Sequence, residues 1–158
     1  MEQYIQPFID VCKNVFMDFL GCELIAERPY LAESDTVNEW DVSAVIGFTG
    51  EARGAVVISM KTELAVRLTG ILTGAAHYTL DEDVIDAIGE IINIIAGNAK
   101  KGLEEAFRLV ISLPTIIEGN KHSVKWPNNQ ARIIRIPFNI FEKDSFFLSV
   151  AIEVVKDK

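Results

Sequence analysis

The chain has 158 residues, 49% of them hydrophobic, with 15 Lys+Arg against 23 Asp+Glu and a formal net charge of -8. That size suits a single domain over residues 1–158 with a core of its own, and the aliphatic content excludes a disordered chain. No uninterrupted apolar run reaches the roughly 18 residues needed to span a bilayer, and the acidic balance argues against nucleic acid or an anionic membrane as partner.

From the N-terminus, Phe8, Ile9, Cys12, Val15, Phe16, Phe19 and Leu20 recur at helical spacing over residues 4–20, and Gly21 stops the pattern. Residues 23–31 are weakly β-like and broken by Pro29, and 32–39 read as a polar loop. Two strands are predicted over 41–48 and 54–60, joined by a hairpin loop from Thr49 to Gly54. Its Gly50-x-x-x-Gly54 spacing resembles a phosphate cradle, but it joins strand to strand and no Lys-Ser/Thr follows, so the turn reading is preferred.

A short helix is expected from Thr62 to Leu72, closed by Gly74. The longest periodic segment then runs from Asp81 to about Phe107, with Thr79 and Glu82 spaced as a capping box and Lys100-Lys101 towards the far end. Strands are predicted over 109–113, 115–118, 131–138 and 145–155, separated by the 120–130 stretch and a turn at Glu142-Lys143-Asp144. Sequential strands with short connections favour antiparallel pairing. The expected class is therefore α+β, a mostly antiparallel sheet packed against two long helices.

Cys12 and Cys22 would be separated by ~15 Å of helix rise, too far for a disulfide. Both are read as small buried hydrophobes, which fits a reducing cytoplasm, as does an N-terminus with an acid in place of a signal peptide's basic residues. His77 and His122 have no His or Cys at ligand spacing, so no bound zinc is expected.

The long helix carries the chemistry. Val84, Ile85, Ile88, Ile92, Ile95, Ala99, Leu103 and Ala106 fall within an arc of roughly 100°, the predicted core stripe. Asp86, Glu90, Asn93, Gly97 and Glu104 cluster within roughly 60° on the opposite side. Glu90 and Asn93 are three apart and therefore neighbours, with Gly97 one turn beyond and Gly89 at the border. Each glycine costs about 0.8–1.0 kcal/mol against alanine in a helix interior, a cost that room for close approach would explain. By spacing alone such a face is most often solvated surface. The pair nevertheless offers a carboxylate for a cation and an amide that can orient a water, but no nucleophile.

The run Asp81-x-Asp83-Val84-x-Asp86-Ala87-x-Gly89-Glu90-Ile91-x-Asn93-Ile94-Ile95-x-Gly97-Asn98-Ala99-Lys100 resembles the signature helix of the CheX proteins, within the CheC/CheX/FliY phosphatase family. The Gly47-Phe48-Thr49-Gly50 hairpin with Gly54-Ala55-Val56-Val57-Ile58-Ser59, and Leu113-Pro114-Thr115 followed by Gly119, are similar to family elements. The resemblance implies dephosphorylation of a phosphorylated CheY-type response regulator. It assigns Glu90 to pairing with the receiver's active-site lysine and Asn93 to the phosphorylation pocket, where it aligns a water. Asp86, Gly97 and Lys101 become partner contacts, and Asn98 a weaker candidate. It implies no cofactor of the chain's own, Mg²⁺ held by the receiver, and a homodimer, for which Ser145–Val155 is apolar enough to pair as an edge strand.

There is one departure from two-site members. Asp10-Val11-Cys12-Lys13-Asn14 on the first helix has Val11 where a second motif would carry glutamate, so one site per chain is expected and Asn14 is read as structural. The main alternative is a non-catalytic module that docks on a receiver or flagellar-switch component. A small-molecule enzyme finds no support, because Ser59, Ser123 and Ser149 have no paired His at readable spacing. A purely structural dimer would instead use Gly97 for helix packing.

Overall fold

The computed structural model describes residues 2–32, 40–119 and 132–155. Of the expected loop over 32–39 only Ala32 is described, at the end of a strand, and the 120–130 stretch, with His122 and Ser123, and the first residue of the strand expected from 131 lie outside the described residues.

The first apolar stripe forms α1 (Glu2–Val15), which continues into a π-helical stretch, Phe16–Leu20. Gly21, at φ 65°, reverses the chain, and the N–H groups of Gly21 and Cys22 donate to the carbonyls of Met17 and Phe16, each at 3.0 Å. Two short strands follow, β1 (Ile25–Ala26) and β2 (Tyr30–Ala32), on either side of Pro29. Next come β3 (Val42–Gly50) and β4 (Ala52–Met60), with only Glu51 between them. The turn is tighter than the sequence predicts, because strands elsewhere hold both ends extended: Gly50 pairs with Leu109 and Ala52 with Val154.

Asp41 starts α2 (Thr62–Thr73) from a distance, its Oδ2 accepting from Thr62 N at 2.8 Å and Thr62 Oγ1 at 3.0 Å. Gly74 closes that helix. The long helix is α3 (Glu82–Leu103), and here two expectations are corrected. Its cap is Asp81 rather than Thr79, with Asp81 Oδ1 accepting from Val84 N at 2.9 Å. It ends at Leu103 rather than near Phe107, because a turn over 104–106 swings Phe107 into the core against Tyr4, ring centroids 5.2 Å apart. Ala106 is consequently exposed, and Ile85 only half-buried.

The remaining strands are β5 (Leu109–Ile111), β6 (Thr115–Glu118), β7 (Ile133–Ile140) and β8 (Asp144–Val154). The eight strands form one sheet in the order β1-β7-β8-β4-β3-β5, with β2 also on β7 and β6 also on β3. Every pairing is antiparallel. The α+β expectation holds, with α2 as a third helix beside the two long ones. The edge-strand role for Ser145–Val155 does not hold: β8 lies inside the sheet, bonded to β4 on one side and β7 on the other. Its apolar character reflects this double pairing and burial on both faces.

Alternation along the strands sends Val42, Ala44, Ile46, Val56, Ile58, Phe138, Phe146, Leu148 and Val150 into one core with the inner faces of the helices. Phe146 stacks between Phe16, at 5.0 Å, and Phe138, at 5.2 Å. Cys12 and Cys22 are buried free thiols, as expected. Packed on α1, α2 and the sheet through β3–β6, α3 has a fixed outer face. Among the described residues, no helix is long and apolar enough to cross a membrane.

Candidate functional site

The buried side of α3 is built from Val84, Ile88, Ile92, Ile95, Ala99 and Leu103 of the predicted stripe, widened by Ala87, Ile91 and Ala96. What this leaves outside is the predicted polar row. Asp86, Glu90 and Lys101 are exposed, and Asn93 and Gly97 are half-buried. From Asp86 to Lys101 the row rises ~22 Å along the helix. Asp86, Glu90, Lys101 and the Asn93 amide take part in no hydrogen bond or ion pair among the described residues, whereas Glu104 of the predicted row is ion-paired. Nearby, Lys100 is engaged, 3.4 Å from Glu104, and Asn98 is half-buried off the row.

The two glycines separate into different roles. A Cβ on Gly97 would meet nothing within 4 Å, so no packing inside this chain requires glycine there. Gly89 is buried, and a Cβ there would stand 3.4 Å from Ile116 Cδ1 and 3.7 Å from Pro114 Cγ. Gly89 therefore admits the segment leading into β6, and its cost in helix propensity has a structural cause. Asn14 is exposed on α1, and Val11, three residues earlier, packs against the core, so α1 presents no carboxylate at the spacing of Glu90 to Asn93.

Glu90 is exposed and Asn93 half-buried on the outer side of α3, and neither lines the cavity formed between α1 and β2. That cavity, of about 370 Å³, is lined by Ile5, Ile9, Pro29, Leu31 and Ile134 among others. Small-molecule sites are concave, whereas a projecting helix face suits insertion into a pocket on another molecule. Neither Ser59 nor Ser149 is placed as an activated nucleophile: Ser59 Oγ is buried 2.7 Å from Ser43 Oγ, and Ser149 is also buried in the sheet.

One group of metal-ligating type escaped the His/Cys search of the sequence. His77, Asp81 and Asp83 place one ligand atom each within 4.8 Å of one another, and the missed signal is two acids just after a histidine at a helix start. Both ring nitrogens of His77 already face protein groups, Thr73 Oγ1 at 3.0 Å and Asp81 Oδ2 at 3.4 Å. The ring thus links the end of α2 to the cap of α3. The Asp81 carboxyl is held below its ordinary range, chiefly by the Val84 N–H and also by His77.

The family model described as "Chemotaxis phosphatase CheX" matches residues 42–139, which include β3, β4, α2, the whole of α3 and β7 up to Asn139. The chain belongs to the CheX family. A curated relative, the CheY-P phosphatase CheX of Thermotoga maritima, is 29% identical over 155 residues, covering 94% of this chain and 95% of the relative. Among solved structures, the chemotaxis protein CheX of Vibrio vulnificus superposes with a TM-score of 0.86 at 28% identity, covering 96% of this chain and 99% of its own. The CheX-CheY-BeF3-Mg²⁺ complex of Borrelia burgdorferi matches with a TM-score of 0.81 at 27% identity, over 95% and 97% of the two chains. CheX membership and a fold matched along nearly the whole chain agree with the resemblance read from the α3 motif.

Proposed function

We propose that residues 1–158 form a single CheX-like domain that dephosphorylates the aspartyl phosphate of a CheY-type response regulator in the cytoplasm. Glu90 docks against the receiver's active-site lysine, and Asn93 enters the phosphorylation pocket to hold a water in line with the acyl phosphate. Asp86, Gly97 and Lys101 complete the contact, and Mg²⁺ belongs to the receiver. A homodimer would carry one such site per protomer.

The chemistry asks little of the chain. A water oxygen bonds to phosphorus as the bond from phosphorus to the aspartyl oxygen breaks. The carboxylate leaves as a stable anion that needs no proton, and the water's proton passes to the inorganic phosphate produced. Catalysis is then positioning, which an amide can supply by accepting from the water and donating to a phosphoryl oxygen. The observation that carries this reading is a carboxylate and an amide three residues apart on a projecting helix face, both without a protein partner among the described residues. The complex of the Borrelia relative with CheY adds to it, beryllium trifluoride being a stand-in for a phosphoryl group.

The test is the decay of a phosphorylated CheY-type receiver with Mg²⁺, alone and with this protein or its Asn93→Ala and Glu90→Ala variants. Asn93→Ala should lose about 10²-fold of the acceleration while still binding. Glu90→Ala should chiefly raise the concentration needed. Unchanged decay with demonstrable binding would leave the docking module in place of the enzyme.

A further inference from the structure

Next to the Pro114 ring that packs at Gly89 of α3 stands an apolar feature that the sequence motif does not assign. Leu113 is 86% exposed, the highest value among the large hydrophobic residues described. A single exposed leucine is ordinary on a protein surface. This one is held between two anchored neighbours. On one side Ser112 is fixed to Gly47: its N–H donates to the Gly47 carbonyl at 2.9 Å, and its Oγ accepts from Gly47 N at 2.9 Å and donates to the Leu113 carbonyl at 3.0 Å. On the other side Pro114 packs over Gly89 of α3. Gly89 and Asn93 are one turn apart on the same helix, so the Pro114 ring meets α3 one turn before the Asn93 position.

We infer that Leu113, on the Leu113-Pro114 rim, is the apolar docking contact for the receiver that α3 engages, packing against an apolar side chain beside its phosphorylation pocket. The inference rests on the function proposed above and deepens it by naming a binding determinant outside the helix. Pro114 joins the rim to α3 at Gly89, and the Ser112–Gly47 hydrogen bonds hold its backbone, so burying Leu113 would add apolar contact at little conformational cost. Glu90 and Asn93 set chemistry and register, whereas Leu113 sets affinity.

The experiment measures binding of a CheY-type receiver activated with beryllium fluoride and Mg²⁺, together with phosphoryl-receiver decay, for the full-length protein and the Leu113→Asp and Ile25→Asp variants. Ile25 is 62% exposed on β1, at the opposite edge of the sheet, and serves as control. Leu113→Asp should weaken binding by about tenfold or more, with the decay rate at saturating protein unchanged. Ile25→Asp should bind as wild type. Equal affinity of Leu113→Asp and wild type, or equal weakening by both variants, would overturn the rim while leaving the phosphatase reading intact. Failure of the wild-type protein to bind any activated receiver would overturn both.

Discussion

Gly54 of β4 faces the Ala151 carbonyl of β8 with no space for a side chain, and a Cβ on Gly54 would run into that oxygen. Gly54 also holds φ +157°, at the border of what other residues adopt. This contact sits in the β4–β8 ladder, which runs from Ala52↔Val154 to Ser59↔Phe147 and joins the two halves of the sheet. Gly54→Ala should therefore lower stability by about 2–4 kcal/mol, read from the urea midpoint at constant m-value. A loss below ~0.5 kcal/mol would show that the ladder shifts to accept the methyl group.

Gly97 is expected to behave in the opposite way. With nothing within 4 Å of a Cβ placed there, Gly97→Ala should stabilise the protein by up to about 1 kcal/mol in the same assay. Gly97→Trp should leave oligomeric mass unchanged by light scattering but abolish receiver binding, as required if the open space at Gly97 admits a partner. A change in mass would instead support the helix-packing role.

Asp81 links stability to pH. Its carboxyl is held below the ordinary value of 3.8, mainly because it accepts from Val84 N–H at the head of α3. A depressed carboxyl stabilises the fold above its ordinary value, and the contribution fades as pH falls through the depressed one. Asp81→Asn keeps a capping oxygen but loses the charge. The wild-type protein should melt higher than Asp81→Asn at pH 7, and the difference should close as the pH is taken from 5 to 2. A difference that does not vary with pH would place the charge outside the cap's energetics.

The cysteines should be inert in the native state. Burial pushes the Cys12 thiol far above its ordinary value, and it raises that of Cys22 with partial relief from Arg67. Since the thiolate is the reactive form, alkylation at pH 8 should be slow for both. Cys12, in the core of α1, should react only as the protein unfolds, at a rate that rises with urea. Rapid native-state labelling of Cys12, seen by peptide mass, would show that α1 detaches locally.

By itself, the sequence determined the periodic elements. Apolar spacing of 3.6 gave α1 and α3, alternation gave β3 and β4, and Gly21 and Gly74 marked helix ends that the structure closes in left-handed conformations. The same periodicity named the outer face of α3, because once one stripe of a helix is buried the opposite stripe is fixed. The α3 motif also carried the CheX family. Tertiary structure alone decided who meets whom. Ser145–Val155 reads as an edge strand by composition, yet its place between β4 and β7 depends on pairings across most of the chain. Gly89 looks like open space on a helical wheel, but Pro114 and Ile116 fill it. Asp41 caps a helix 21 residues further on, Phe107 leaves α3 for Tyr4, and Pro114, next to Leu113, comes to stand against Gly89 of α3. Local periodicity reports which side of an element is buried, whereas contacts between distant segments depend on loop closure and complementary packing, for which a short stretch of sequence carries no local signal.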